Sequence, residues 1–72
     1  MKTARGSQRI AHLTPRQRDV GARIAKGMSN REIAEELGIH VQVVKNYSVL
    51  LYDKFGVENR TQLTIKWLEM ER

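Results

Sequence analysis

Gln42, Lys45, Asn46 and Val49 recur at helical spacing, and each side chain suits the edge of a base pair. The amides of Gln42 and Asn46 can pair bidentately with adenine N6 and N7, Lys45 can donate to guanine O6 and N7, and Val49 can pack on a thymine methyl. If Val44, Leu51 and Phe55 face a core, a rotation of about 100° per residue sets Gln42, Asn46, Val49 and Asp53 nearly opposite, with Lys45 on the flank. Asp53 would repel phosphate and belongs at the rim. Taken alone, polar groups opposite an apolar stripe are most often just a solvated helix face.

Four helices would have to position these groups, and each has a start and a stop with a physical cause. Thr14-Pro15-Arg16-Gln17 reads as a capping box with Pro at the first helical position, and Gly27 closes that helix in a left-handed conformation. Ser29-Asn30-Arg31-Glu32 repeats the device for a short helix that Gly38 ends, with Ile33, Ala34 and Leu37 on one face. The third helix runs from Val41 to Phe55, with Val44, Tyr47, Ser48, Leu51 and Phe55 on one side and Gly56 as its stop. Asn59 caps a last helix reaching to about Met70, whose Leu63, Trp67 and Met70 form a stripe. There is no sheet signal, so the fold class is all-α, a four-helix domain. The second and third helices, joined by a tight turn with Gly38 and with Ile39 anchoring the bend, have the form of a helix-turn-helix.

Composition narrows the function classes. The chain has 72 residues, with 13 Lys and Arg against 8 Asp and Glu, and no Cys. One small core is all it can bury, leaving little room for an enclosed catalytic cavity. No nucleophile neighbours a base, no carboxylates pair in a plausible cleft, and no glycine loop cradles phosphate, so an enzyme is not expected. His12 and His40 alone make a poor metal site, and neither a metal nor a cofactor is expected. The longest apolar run, Val49 to Tyr52, is far short of the ~20 residues needed to span a bilayer, so a soluble, cytoplasmic protein without a membrane partner is expected. The net charge of +5 is concentrated toward the N-terminus, where Lys2, Arg5 and Arg9 meet no acid. Residues 1–12 read as a flexible basic arm and residues 13–72 as the folded domain. A basic balance on so small a domain fits a polyanion partner, although charge alone does not establish one.

Leu13-Thr14-Pro15-Arg16, Ile24-Ala25, Gly27, Ser29-Asn30, Glu32-Ile33-Ala34, Leu37-Gly38-Ile39, Val44-Lys45, Lys54, Gly56-Val57 and Asn59-Arg60 together resemble the LuxR/FixJ-type helix-turn-helix domain. That domain is the DNA-binding output module of many bacterial transcription regulators. The resemblance covers about residues 13–68. It implies a third helix in the major groove, a second across the backbone, and a fourth that often forms a dimer contact. Base contacts of the family correspond to Lys45, Asn46 and Val49. The expected partner is double-stranded DNA, read sequence-specifically by a homodimer, at least on DNA.

Phosphate contacts are expected from Asn30, Arg31 and the first backbone N–H groups of the second and third helices, Val41 among them, where the helix dipole favours an anion. Arg16 and Arg60 are further candidates, and the Tyr47 hydroxyl can reach a phosphate. Arg16, Arg18 and Arg31 more often pair with nearby acids than touch a ligand. Ile65 and Leu68, with Thr61 and Thr64, give the last helix a second semi-apolar side suited to a dimer contact. Departures from the family pattern fall at His40, where Ser is usual, Val43, where Thr is usual, and Tyr47, where His is common. Gly21 stands where a large apolar residue is usual, which predicts empty space and a cost of about 1 kcal/mol in helix propensity. The competing reading is a protein-interaction module contacting RNA polymerase, similar to the last region of sigma factors, which also opens with Leu-Thr-Pro-Arg-like residues.

Overall fold

Thr14 opens the first helix because its hydroxyl oxygen accepts the Gln17 backbone N–H at 3.2 Å while the Gln17 side chain accepts the Thr14 N–H at 3.0 Å. The protein is described by a computed structural model covering residues 12–71, so the expected arm lies outside the described residues except for His12, which is exposed. Helix α1 spans Pro15–Ala25, α2 Asn30–Leu37, α3 Val41–Phe55 and α4 Arg60–Glu71. No strand occurs among the described residues, and none of their helices is long and apolar enough to cross a membrane. The all-α, four-helix expectation holds.

The second capping box forms as well, with Ser29 Oγ accepting the Glu32 N–H at 3.1 Å and the Glu32 carboxylate accepting the Ser29 N–H at 2.8 Å. Gly38 ends α2 at φ +69°, a left-handed conformation that other residues rarely adopt, and this reverses the chain within a few residues. The Ile39 N–H then returns to the Ala34 carbonyl at 3.0 Å, so the turn between α2 and α3 is tied to α2 by the backbone itself. His40 begins α3 in extended backbone without a side-chain cap. Asn59 caps α4, its Oδ1 accepting the Gln62 N–H at 2.9 Å.

Leu13, Val20, Ile24, Ile33, Ala34, Val44, Leu51, Phe55, Leu63 and Trp67 form the buried core, to which all four helices contribute. Helix α1 packs against the other three, and α3 packs against both α2 and α4. Trp67 meets Phe55 edge to face, with ring centroids 5.7 Å apart at 87°. Such a pair adds about 0.5–1.5 kcal/mol to the burial of the two rings. The indole Nε1 is buried without a hydrogen-bond partner among the described residues, so the ring is held by packing.

The expectation at Gly21 is overturned. No space is left there: a Cβ built on Gly21 would overlap Cζ3 and Cη2 of Trp67 and lie 3.0 Å from Cε3. The missing side chain on α1 is filled by the indole of α4. Pairing of Arg16, Arg18 and Arg31 with acids is likewise not found among the described residues. The pairing falls to Arg23, whose Nε meets Glu36 Oε1 at 2.5 Å and whose Nη1 donates to the Asp19 carbonyl at 3.0 Å. This links α1 to α2.

Gly21→Ala separates propensity from packing. Helix propensity alone would add about 1 kcal/mol of stability, whereas overpacking costs about 1–3 kcal/mol. A lower urea midpoint is expected, followed by the fluorescence of Trp67, the only tryptophan. A raised midpoint would mean that the indole yields at no cost.

Candidate nucleic-acid interface

Helix α3 buries only Val44, Ser48, Leu51 and Phe55. Ser48 is polar but satisfied, its hydroxyl donating to the Val44 carbonyl at 3.0 Å. All the residues expected to meet bases, Gln42, Lys45, Asn46 and Val49, lie exposed on the remaining surface, with Val49 at 65% exposure. Gln42 Nε2 donates to Asn46 Oδ1 at 3.1 Å, one helical turn apart, so the two amides form a pair. Lys45 and Lys54 are the cations of this helix and Asp53 its acid.

The groups expected at phosphate divide into two sets. Arg31 is exposed on α2, and Val41 is exposed at the first turn of α3, whose N–H groups receive no side-chain cap from His40. Tyr47 is half-buried at the edge of the core rather than fully within the apolar stripe. Asn30 and Arg60, predicted separately, are brought together: Arg60 Nη1 donates to Asn30 Oδ1 at 2.8 Å, and Nη2 donates to the Met28 carbonyl. The guanidinium is therefore engaged within the domain, tying the start of α4 to the start of α2. Arg16 is half-buried on α1.

On α4, Thr61, Ile65 and Leu68 are exposed, and Thr64 is half-buried with its hydroxyl donating to the Ile24 carbonyl at 3.4 Å. Ile65 and Leu68 thus form an apolar face directed away from the core. Among the described residues no three His, Cys, Asp or Glu side chains gather where a metal could be held.

One feature of α3 was missed by sequence reasoning. Val43, Asn46, Tyr47 and Leu50 line an open groove of about 240 Å³ on the exposed side of α3. The signal available was the spacing of Val43, Tyr47 and Leu50, which places a second apolar stripe next to the core stripe.

A family model for bacterial regulatory proteins of the luxR family matches residues 11–67. Over 56 residues the chain is 41% identical to the Streptomyces halstedii protein named "Probable HTH-type transcriptional regulator GfsR", covering 78% of this chain and 23% of that protein. It is 32% identical over 63 residues to the DNA-binding transcriptional activator DevR/DosR of Mycobacterium tuberculosis, covering 88% of this chain and 29% of that protein. It is also 41% identical over 51 residues to the transcriptional regulatory protein UhpA of Escherichia coli, covering 71% and 26%. The chain spans roughly a quarter of the length of these relatives. With two capping boxes, a left-handed Gly38 turn and an outward-facing third helix across the matched region, the chain belongs to the luxR family of bacterial regulatory proteins, and its helix-turn-helix is a DNA-binding module of transcription regulation.

Proposed function

We propose that this domain reads double-stranded DNA by laying α3 in the major groove, as the DNA-binding part of a bacterial transcription regulator acting in the cytoplasm. The observation that carries the reading is the one-sided burial of α3, which leaves Gln42, Lys45, Asn46 and Val49 exposed on a single surface that no other described residue covers. Lys45 donates to a guanine, the Gln42–Asn46 amide pair addresses an adenine, and Val49 packs on a thymine methyl. Arg31, the Val41 backbone N–H and the Tyr47 hydroxyl face phosphates. Asn30 retains its amide N–H donors for a phosphate while Arg60 braces it from behind.

Two copies meet through Thr61, Thr64, Ile65 and Leu68, so that the paired α3 helices enter successive major grooves about one helical turn apart. Burial of Ile65 and Leu68 in that contact removes an apolar face from water.

Lys45→Ala is expected to weaken binding to a selected duplex by about 1–3 kcal/mol and to relax preference at one base pair. Equal loss on selected and scrambled duplexes would remove Lys45 from the base-reading set. Arg31→Ala is expected to weaken all sequences alike and to reduce the slope of log K against log salt by about one unit. An unchanged slope would remove Arg31 from the phosphate contacts. Replacing Ile65 and Leu68 together by Glu is expected to abolish cooperative filling of a two-half-site duplex while a single half-site is still bound. Unchanged cooperativity would place the contact between copies elsewhere.

A further inference from the structure

Resting on the reading of α3 as the groove-entering helix, we propose that Val43, Tyr47 and Leu50 form a second thymine-methyl site, distinct from Val49 and shared with Asn46. At about 100° per residue the outward surface of α3 runs from Lys45 on one flank, through Gln42, Asn46 and Val49, to Val43, Tyr47 and Leu50 on the other. The first three turns of that flank are apolar, and Lys54 follows one turn beyond Leu50 outside the groove: Val43 is 37% and Leu50 38% exposed, and with Asn46 and the Tyr47 ring they bound the open groove of about 240 Å³.

Two properties of the groove select its occupant. It offers no cation among its lining residues, so a phosphate seated there would lose hydration without gaining a counter-charge. An apolar group would instead cover exposed Val and Leu surface at a gain. In the major groove the apolar group of a base edge is the 5-methyl of thymine. Asn46 supplies continuity with the reading face. Its Oδ1 accepts from Gln42 and keeps a second lone pair for adenine N6, while its own N–H donors remain for adenine N7. An adenine held by Asn46 therefore brings the methyl of a thymine in that A·T step to the mouth of the groove. Specificity on this flank is carried by shape and apolar contact, where Lys45 on the opposite flank carries it by hydrogen bonding.

The test uses the duplex recovered by selection from random sequence. Each thymine is replaced in turn by deoxyuridine, which keeps every hydrogen-bonding group and removes the methyl alone. At one position of the half-site the wild-type chain is expected to lose about three- to tenfold in affinity, and Leu50→Ala is expected to bind the thymine and deoxyuridine duplexes equally. Val43→Ala should reduce the same discrimination, whereas Val49→Ala should leave that position sensitive and silence a different one. Unchanged Trp67 fluorescence and urea midpoint in the Leu50 variant confirm that the fold is intact. The proposal is overturned if a sequence-specific duplex is found in which no thymine is methyl-sensitive, or if all such sensitivity persists in Leu50→Ala and Val43→Ala. Failure of selection to yield any specific duplex would instead overturn the reading of α3 itself, and the thymine site with it.

Discussion

The indole of Trp67 is the constraint on which the rest of the structure depends. It comes from α4, fills the place of a side chain at Gly21 on α1, and presents a face or edge to Phe55 at the end of α3. One ring thereby fixes three helices relative to one another. Because a chain this small has a single core, no second layer of packing can correct a displacement of that ring. The orientation of α3, and with it the direction in which Gln42, Lys45, Asn46 and Val49 point, follows from this contact.

Around that apolar centre, polar ties set the position of α2. Arg23 of α1 reaches Glu36 near the end of α2, and Arg60 of α4 reaches Asn30 and the Met28 carbonyl at its beginning. The solvent-exposed Arg23–Glu36 ion pair contributes little to stability individually, and the Arg60 contacts are part-buried hydrogen bonds to neutral acceptors. Their consequence is geometric: both ends of α2 are held, so the left-handed turn at Gly38 delivers α3 at one angle. The outer face of α3 then combines Lys45, an amide pair and apolar side chains, with Asp53 and Lys54 toward its C-terminal end. In the proposed reading, recognition by such a face depends on shape and hydrogen bonding more than on charge, with phosphate contacts assigned largely to α2 and the first turn of α3.

Local signals in the sequence were sufficient for the elements and for the exposure of Gln42, Lys45, Asn46 and Val49. Capping boxes at Thr14 and Ser29, the stops at Gly38 and Gly56, and the stripe Val44, Leu51 and Phe55 all act within one or two helical turns, and all appear in the structure. What stayed hidden depends on partners distant along the chain. Gly21 reads as missing volume until Trp67 is seen to occupy it. Arg60 reads as a free cation until Asn30 and Met28, some thirty residues earlier, are seen to receive its donors. Tyr47 reads as part of the core stripe, and the groove it forms with Val43 and Leu50 stays hidden, because periodicity places residues on a side of a helix without saying where neighbouring helices stop covering it.

The central claim is that the outward face of α3 is the surface that meets base edges. The side-chain amide resonances of Gln42 and Asn46 test it most directly, because they belong to exposed groups whose N–H donors would pair with a base. On titration with a selected duplex, both amide pairs should shift to a new saturating position that a scrambled duplex does not reproduce. Resonances of both side chains left unmoved at full saturation of specific binding would contradict the account.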